Sequence, residues 1–264
     1  MELIELLQFK RSALLIAHPG HEIRVLGWMT EARPRVHILT DGSGRQGKSR
    51  IASTRGILDR TSATIGTLFG QYPDRAIYQA VLRQDIELFE GVAQQVADDL
   101  IRHEIDLVVG DAAEGVVMTH DLWRGIVNRA LELAAEIRGE PIASLEFTLE
   151  GSPAQKPVNF PQPSVRLRLT NQLWQQKLDH ARGYVELTSE VETALTAWGT
   201  EAFRQECLYF SADFSPEPQL PEHPPEYERL GEQLVTAGVY PQVVRYRDHV
   251  LPILAALRQM RVAA

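Results

Sequence analysis

The sequence has a single cysteine, no long apolar run and a deficit of positive charge. Cys207 is alone among 264 residues, which excludes an internal disulfide and a cysteine-based zinc finger. No apolar stretch approaches the ~20 residues that a membrane span needs. The first eleven residues mix acids and bases and lack the apolar core of a signal peptide. We therefore expect a cytoplasmic protein that does not enter a membrane.

The charge balance argues against a general nucleic-acid binder. Lysine and arginine total 27 against 35 aspartates and glutamates, for a net charge of -8. Nucleic-acid binding depends on neutralising phosphates, so a basic surface is expected of such proteins. Hydrophobic residues make up 44% and charged residues 23%, which is typical of a folded globular protein.

The first half of the chain alternates strand-like and helical patterns. This order predicts an α/β fold with a Rossmann-like, mostly parallel sheet flanked by helices. Ligands of such sheets bind beyond the carboxyl ends of the strands. The predicted strands cover 12–17, 35–39 and 105–109, and the predicted helices cover 22–32, 49–65, 85–104 and 121–138.

The second half has a different pattern. Two alternating runs are expected to pair as strands, and the later segments predict helices separated by a proline-rich linker. We expect an α/β domain over 1–170 and a mainly helical extension over 171–264 that packs on it and is compatible with homo-oligomerisation. The paired runs cover 142–149 and 164–169, the helical patterns 171–198 and 226–260, and the linker 215–225.

Three histidines stand at predicted strand ends. His18 and His21 share a tight turn after the first strand, and His120 follows the loop after the strand at 105–109. Neutral imidazole is a common metal ligand, and a catalytic zinc takes three protein ligands with one position open. The alternative is three surface-loop histidines without a shared role. A metal hydrolase also needs a base. The acids nearby are Glu22, Asp41, Asp111, Glu114 and Asp121, and of these Glu114 and Asp111 lie on the same loop as His120.

A glycine-rich loop, Thr40 to Ser49, follows the second predicted strand. Residues 42–49 (GSGRQGKS) fit a phosphate-binding pattern, but that motif normally follows the first strand of its domain. Nucleotide binding is therefore a third hypothesis, behind a loop that holds a phosphate or a sugar of the substrate. The predicted substrate-binding residues are Arg45, Lys48, Arg55 and Asp111.

Residues 17–22, Ala-His-Pro-Gly-His-Glu, resemble the AHPDDE signature of the PIG-L/LmbE-like family of zinc-dependent N-acetyl-sugar deacetylases. Residues 40–42 resemble its TDG segment, and Thr119-His120 resembles the end of its HxDH segment. The order and spacing agree over about residues 10 to 140. The resemblance implies a Rossmann-like fold with one zinc, or another divalent metal, held by His18, His21 and His120, with His21 in place of the family's second aspartate.

The same resemblance implies that two catalytic groups of the family are absent. Gly20 stands where the family has its general base, Val117 where it has the first histidine of HxDH, and Thr119 where it has the aspartate. Glycine and valine cannot transfer protons, so Glu114, then Asp41, are the expected replacements. The resulting hypotheses are a zinc hydrolase acting on an N-acyl group of a sugar-like molecule, and a catalytically degenerate metal- or glycan-binding protein.

Overall fold

The computed structural model describes residues 11–44, 47–155, 165–210 and 223–261. Strands and helices alternate up to β5, and the later elements are mainly helical. The strands are β1 (Ser12–Ile16), β2 (Arg35–Thr40), β3 (Thr64–Tyr72), β4 (Leu107–Asp111), β5 (Ala143–Phe147), β6 (Val165–Arg168) and β7 (Gln205–Phe210). The helices are α1 (Leu26–Ala32), α2 (Ile51–Thr61), α3 (Asp74–Arg83), α4 (Ile86–Arg102), α5 (Met118–Arg138), α6 (Asn171–Arg182), α7 (Thr188–Ala202), α8 (Glu226–Thr236) and α9 (Leu251–Gln259).

The seven strands form one sheet in the order β3-β2-β1-β4-β5-β7-β6. The first five are parallel, and β7 runs antiparallel to both β5 and β6. Central β1 is wholly buried because α-helices cover both faces of the sheet, which explains its continuous apolar sequence. The predicted α/β, Rossmann-like fold with a mainly helical C-terminal part is confirmed.

Strand β3 corrects the prediction that a helix extends over 49–65. The helix α2 ends at Thr61, where Ser62 takes a left-handed backbone, and an edge strand then follows. Two glycines within β3 interrupt the pattern of residues expected of a strand. Packing requires a glycine at both positions. A Cβ on Gly66 would lie 2.5 Å from the ring of His37, and Gly70 has φ of +64° with Ile51 against it.

The runs at 142–149 and 164–169 do not pair with each other, which corrects a second expectation. The strand β7 lies between them and pairs with β5 through Leu145 and Phe210 and with β6 through Val165 and Leu208. The C-terminal part thus adds a strand to the sheet. The boundary at residue 170 stays a prediction, and most of the proposed linker at 215–225 lies outside the described residues.

A buried ion pair connects the C-terminal part to α1, the helix that follows the turn carrying His21. The side chains of Lys177 on α6 and Glu206 on β7 are almost fully buried and lie 2.8 Å apart. The Glu206 carboxylate also accepts the backbone N–H groups of Gly27 and Trp28 in the first turn of α1. Since carboxylates stabilise helix N-termini, this contact fixes the helix that follows the histidine turn.

The predicted single helix over 171–198 is divided into α6 and α7 by a short 3-10 segment, Val185–Leu187. Within the ranges given above, no helix has the length and apolar character needed to span a bilayer.

Candidate active site

Three structural elements bring the three predicted histidines together at the carboxyl edge of the sheet. His18 follows β1, His21 opens the 3-10 turn His21–Val25, and His120 lies in the first turn of α5. Gly20 makes the tight turn between the first two, with φ of +106°, a conformation that residues with a side chain rarely adopt.

The three imidazole rings form a compact cluster. Their centroids are 5.3 Å apart for His18 and His21, 5.2 Å for His18 and His120, and 4.7 Å for His21 and His120. Imidazoles bound to one tetrahedral zinc through Zn–N bonds of about 2.1 Å have centroids about 5 Å apart. The ring spacing therefore matches the spacing that a shared metal ion requires.

Two of the rings have a carboxylate partner. The Nδ1 atom of His18 lies 2.7 Å from the Thr40 hydroxyl and 3.0 Å from the carboxylate of Asp74, and Nδ1 of His21 lies 2.8 Å from the carboxylate of Asp111. An ionised carboxylate accepts hydrogen bonds, so the proton of each neutral ring belongs on Nδ1. The lone pair is then on Nε2, as in many metal-bound histidines.

The third imidazole, His120, is buried, with 7% of the residue exposed. Burial, followed by the neighbouring His21 and His18, lowers the pKa of His120 well below its usual value. This imidazole is therefore neutral at pH 7, and neutral imidazole is the form that binds metals.

The donor chemistry and ring spacing of the cluster fit a zinc ion. In the part of the chain that the structure describes, however, no group of three or more histidine, cysteine, aspartate or glutamate side chains is arranged to hold a metal ion as it stands. The bound metal is accordingly a proposal, and the observation that supports it is the close spacing of the three imidazole rings.

The space beside Gly20 is filled from the C-terminal part. A Cβ at residue 20 would lie only 2.4 Å from Cδ1 of Leu187, in the 3-10 segment. A carboxylate at this position, which the family resemblance implies, would therefore require the side chain of Leu187 to move. Val117 is at the N-cap of α5 and offers no polar side chain.

Glu114, the predicted base, lies on the loop after β4 as expected. Its carboxylate accepts the backbone N–H of Leu149 at 2.6 Å and that of Glu150 at 3.2 and 3.3 Å. Burial raises the pKa of Glu114 to about 7, although these hydrogen bonds oppose the rise. Glu114 can therefore gain or lose a proton near neutral pH. To take up a proton, its carboxylate would first give up a hydrogen bond from a backbone N–H.

The other site residues predicted from the sequence lie at separate places in the structure. Asp41 closes its own turn by accepting the backbone N–H of Ser43, and Asp111 lies behind His21, where it also accepts the N–H of Ala17 at 2.6 Å. Lys48 is exposed and 3.4 Å from Glu186. The guanidinium of Arg55 lies over the ring of Phe69, and Arg45 falls outside the described residues.

Sequence reasoning missed Asp74, the first residue of α3. One carboxylate oxygen faces His18, and the other accepts the backbone N–H of Gly44 at 2.5 Å. Burial favours the neutral acid, but the hydrogen bonds with His18, Thr40 and the backbone of Gly44 act more strongly, and the pKa of Asp74 falls to about 2. Its only sequence signal is an acidic residue after Pro73, which is common at helix starts.

Glu22 connects the histidine turn to a neighbouring helix. It is fully buried and accepts the N–H of Gly20 at 2.7 Å and the hydroxyl of Thr54 at 2.6 Å. Burial raises the pKa of Glu22 to about 7. This acid therefore holds the histidine turn against α2.

A solved structure shares this fold. The conserved protein TT1542 from Thermus thermophilus aligns over 81% of this chain and 99% of its own, at 15% identity and a TM-score of 0.51. The zinc-inhibited form of teicoplanin deacetylase Orf2 aligns over 77% of this chain and 100% of its own, at 13% identity and a TM-score of 0.49. No protein-family model and no curated protein matches the chain significantly.

Proposed function

We propose that this protein is a zinc-dependent hydrolase that removes an N-acyl group from a sugar-like small molecule. The observation that carries the proposal is the cluster of His18, His21 and His120, whose ring spacing suits one shared metal ion. The resemblance of residues 17–22 to the deacetylase signature supports the substrate class.

The three imidazoles would hold the metal through their unprotonated nitrogens. When bound, zinc polarises an acyl carbonyl and lowers the pKa of a water molecule. Asp74 and Asp111 keep Nδ1 of His18 and His21 protonated and their rings oriented. Another divalent metal remains an alternative for the same ligands.

Glu114 is the proposed general base. Its raised pKa, about 7, places proton uptake and release near neutral pH. Asp41 is the second choice, because its carboxylate already closes a turn. Lys48, Arg55 and Arg45 are proposed to bind the polar part of the substrate, and Asp111 contributes through His21.

A catalytically degenerate metal- or glycan-binding protein is the second candidate. The observation that favours it is the side chain of Leu187 beside Gly20, which would have to move to admit a carboxylate at the position of the family's base. The two candidates share the metal ligands and differ in whether an acid at another position transfers the proton.

A release assay separates these candidates. We expect the zinc-loaded protein to liberate acetate from at least one member of a panel of N-acetyl amino sugars and their glycosides, and the His120→Ala variant to liberate none. Arg33→Ala, at the exposed C-cap of α1 just before β2 begins, is the control and should match wild type. Zinc binding without release from any member would favour the binding protein.

A further inference from the structure

The 3-10 segment Val185–Leu187 forms one side of the histidine turn. The side chain of Leu187 fills the space that any side chain on Gly20 would enter, and the ring of Tyr184 lies 3.7 Å from the same point. Gly20 lies between His18 and His21 in the chain. An aliphatic side chain from the C-terminal part therefore lies against the residue that separates two of the proposed metal ligands in the chain.

Buried hydrogen bonds fix the start of this segment. Tyr184 is 1% exposed, and its hydroxyl lies 2.9 Å from that of Thr54 and donates to the carbonyl of Arg50 at 3.2 Å. Thr54 in turn bonds Glu22. The position of the segment is thus coupled to the turn that carries the histidines.

A second set of polar contacts fixes its middle. The carboxylate of Glu186 accepts the hydroxyl of Ser53 at 2.7 Å and lies 3.4 Å from the ammonium of Lys48. Leu187 therefore belongs to a short segment whose position is fixed by two sets of polar contacts. A fixed position is expected of a residue that shapes a binding site.

We propose that Leu187 is a specificity-determining residue that contacts the acyl group of the substrate and limits its length. The proposal rests on the proposed function. The acyl carbon must lie at the metal ligands, and the turn that carries two of them is covered at Gly20 by Leu187, where an alkyl substituent would meet it. A sugar hydroxyl buried against Leu187 and the Gly20 turn would lose hydrogen bonds, whereas an alkyl group would not. The wild type should then prefer short acyl groups.

The test is an acyl-length series on glucosamine, from N-acetyl to N-hexanoyl, with wild type, Leu187→Ala and Leu187→Val. We expect the ratio of kcat/KM for hexanoyl over acetyl to rise by about tenfold or more in Leu187→Ala and by less in Leu187→Val, since one methylene group is worth about 10- to 200-fold in a hydrophobic pocket. An unchanged ratio in both folded variants would overturn the proposal.

The matched control is Val185→Ala in the same segment, because Val185 is 71% exposed and should leave the ratio unchanged. A second readout is independent of turnover: the Kd values of acetate and hexanoate for the zinc-loaded protein, measured by calorimetry. A gain in hexanoate binding on Leu187→Ala without any hydrolysis would support the role of Leu187 and contradict the proposed hydrolase. Hydrolysis with no shift in either readout would contradict Leu187 alone.

Discussion

Two histidine–aspartate clusters in this protein contain the same residue types but differ in how deeply they are buried. In one, His37 on β2 lies 2.9 Å from Asp99 on α4, which also binds Arg35, and the side chains of His37 and Asp99 are wholly buried. In the other, the rings of His18 and His21 keep 14% and 15% of their surface exposed at the carboxyl edge of the sheet.

The difference shows which arrangement is suited to ligands. The imidazole of His37 in the β2 cluster is buried beside the ion pair of Arg35 and Asp99, so it joins a strand to a helix. The edge cluster contains three imidazoles, two with their own carboxylate, at the edge where α/β sheets bind ligands. We therefore propose that His37 and Asp99 stabilise the fold and that His18, His21 and His120 bind the metal ion.

The largest expected effect is on activity at the edge cluster. Glu114→Gln removes the proposed base and should lower kcat by about 10²- to 10⁴-fold, while zinc content stays at the wild-type level. Steady-state kinetics and metal analysis of the same preparation provide the check. Loss of zinc in this variant would instead make Glu114 a ligand, and unchanged kcat would transfer the role of base to Asp41.

Asp99→Asn tests the β2 cluster. Removing this buried charge leaves Arg35 without its partner, so the free energy of unfolding should fall by about 3–5 kcal/mol. Urea denaturation followed by circular dichroism measures the change. The zinc content of the folded protein should not change. A fall in zinc content would contradict the separate roles proposed for the two clusters.

Asp111→Asn makes the same chemical change at the edge cluster. Loss of the carboxylate that holds Nδ1 of His21 should weaken zinc binding about 10- to 100-fold, as measured by competition with a chromogenic chelator. Asp99→Asn is its matched comparison. Equal zinc affinity in the two variants would contradict the assigned role of Asp111.

The smallest effect is the pH dependence of the rate. The base must be ionised to accept a proton, and the pKa of Glu114 is raised to about 7. The value of kcat/KM should therefore fall about tenfold per pH unit below 7 and level off above it. Measurements from about pH 5.5 to 8.5 on zinc-saturated protein give the profile, and a flat profile over the acidic half of that range would exclude Glu114 as the base.

The strands near the site were predictable from the sequence, because β1 is a continuous apolar run, β2 and β4 are rich in apolar residues, and all three end in loops. Convergence of His18, His21 and His120 followed from that topology. Strand β3 escaped prediction because Gly66 and Gly70 accommodate side chains of other elements, and single-chain patterns do not contain that information.

The long-range partners of the site could not be predicted either. Nothing local links Asp74 to His18 or places Leu187 beside Gly20, since 56 and 167 residues separate these pairs (74 − 18 and 187 − 20). Such contacts depend on how helices cover the sheet. The sequence thus indicated the proposed metal ligands, whereas the groups that orient them and surround them required the structure.

The zinc content of the purified protein tests the central claim most directly. Wild type, His120→Ala and His37→Ala should be loaded with zinc, dialysed and analysed by atomic emission. We predict about one zinc per chain for wild type and for folded His37→Ala, and almost none for His120→Ala. No zinc in wild type, or equal zinc in wild type and His120→Ala, would contradict the assignment of the three histidines as one metal site.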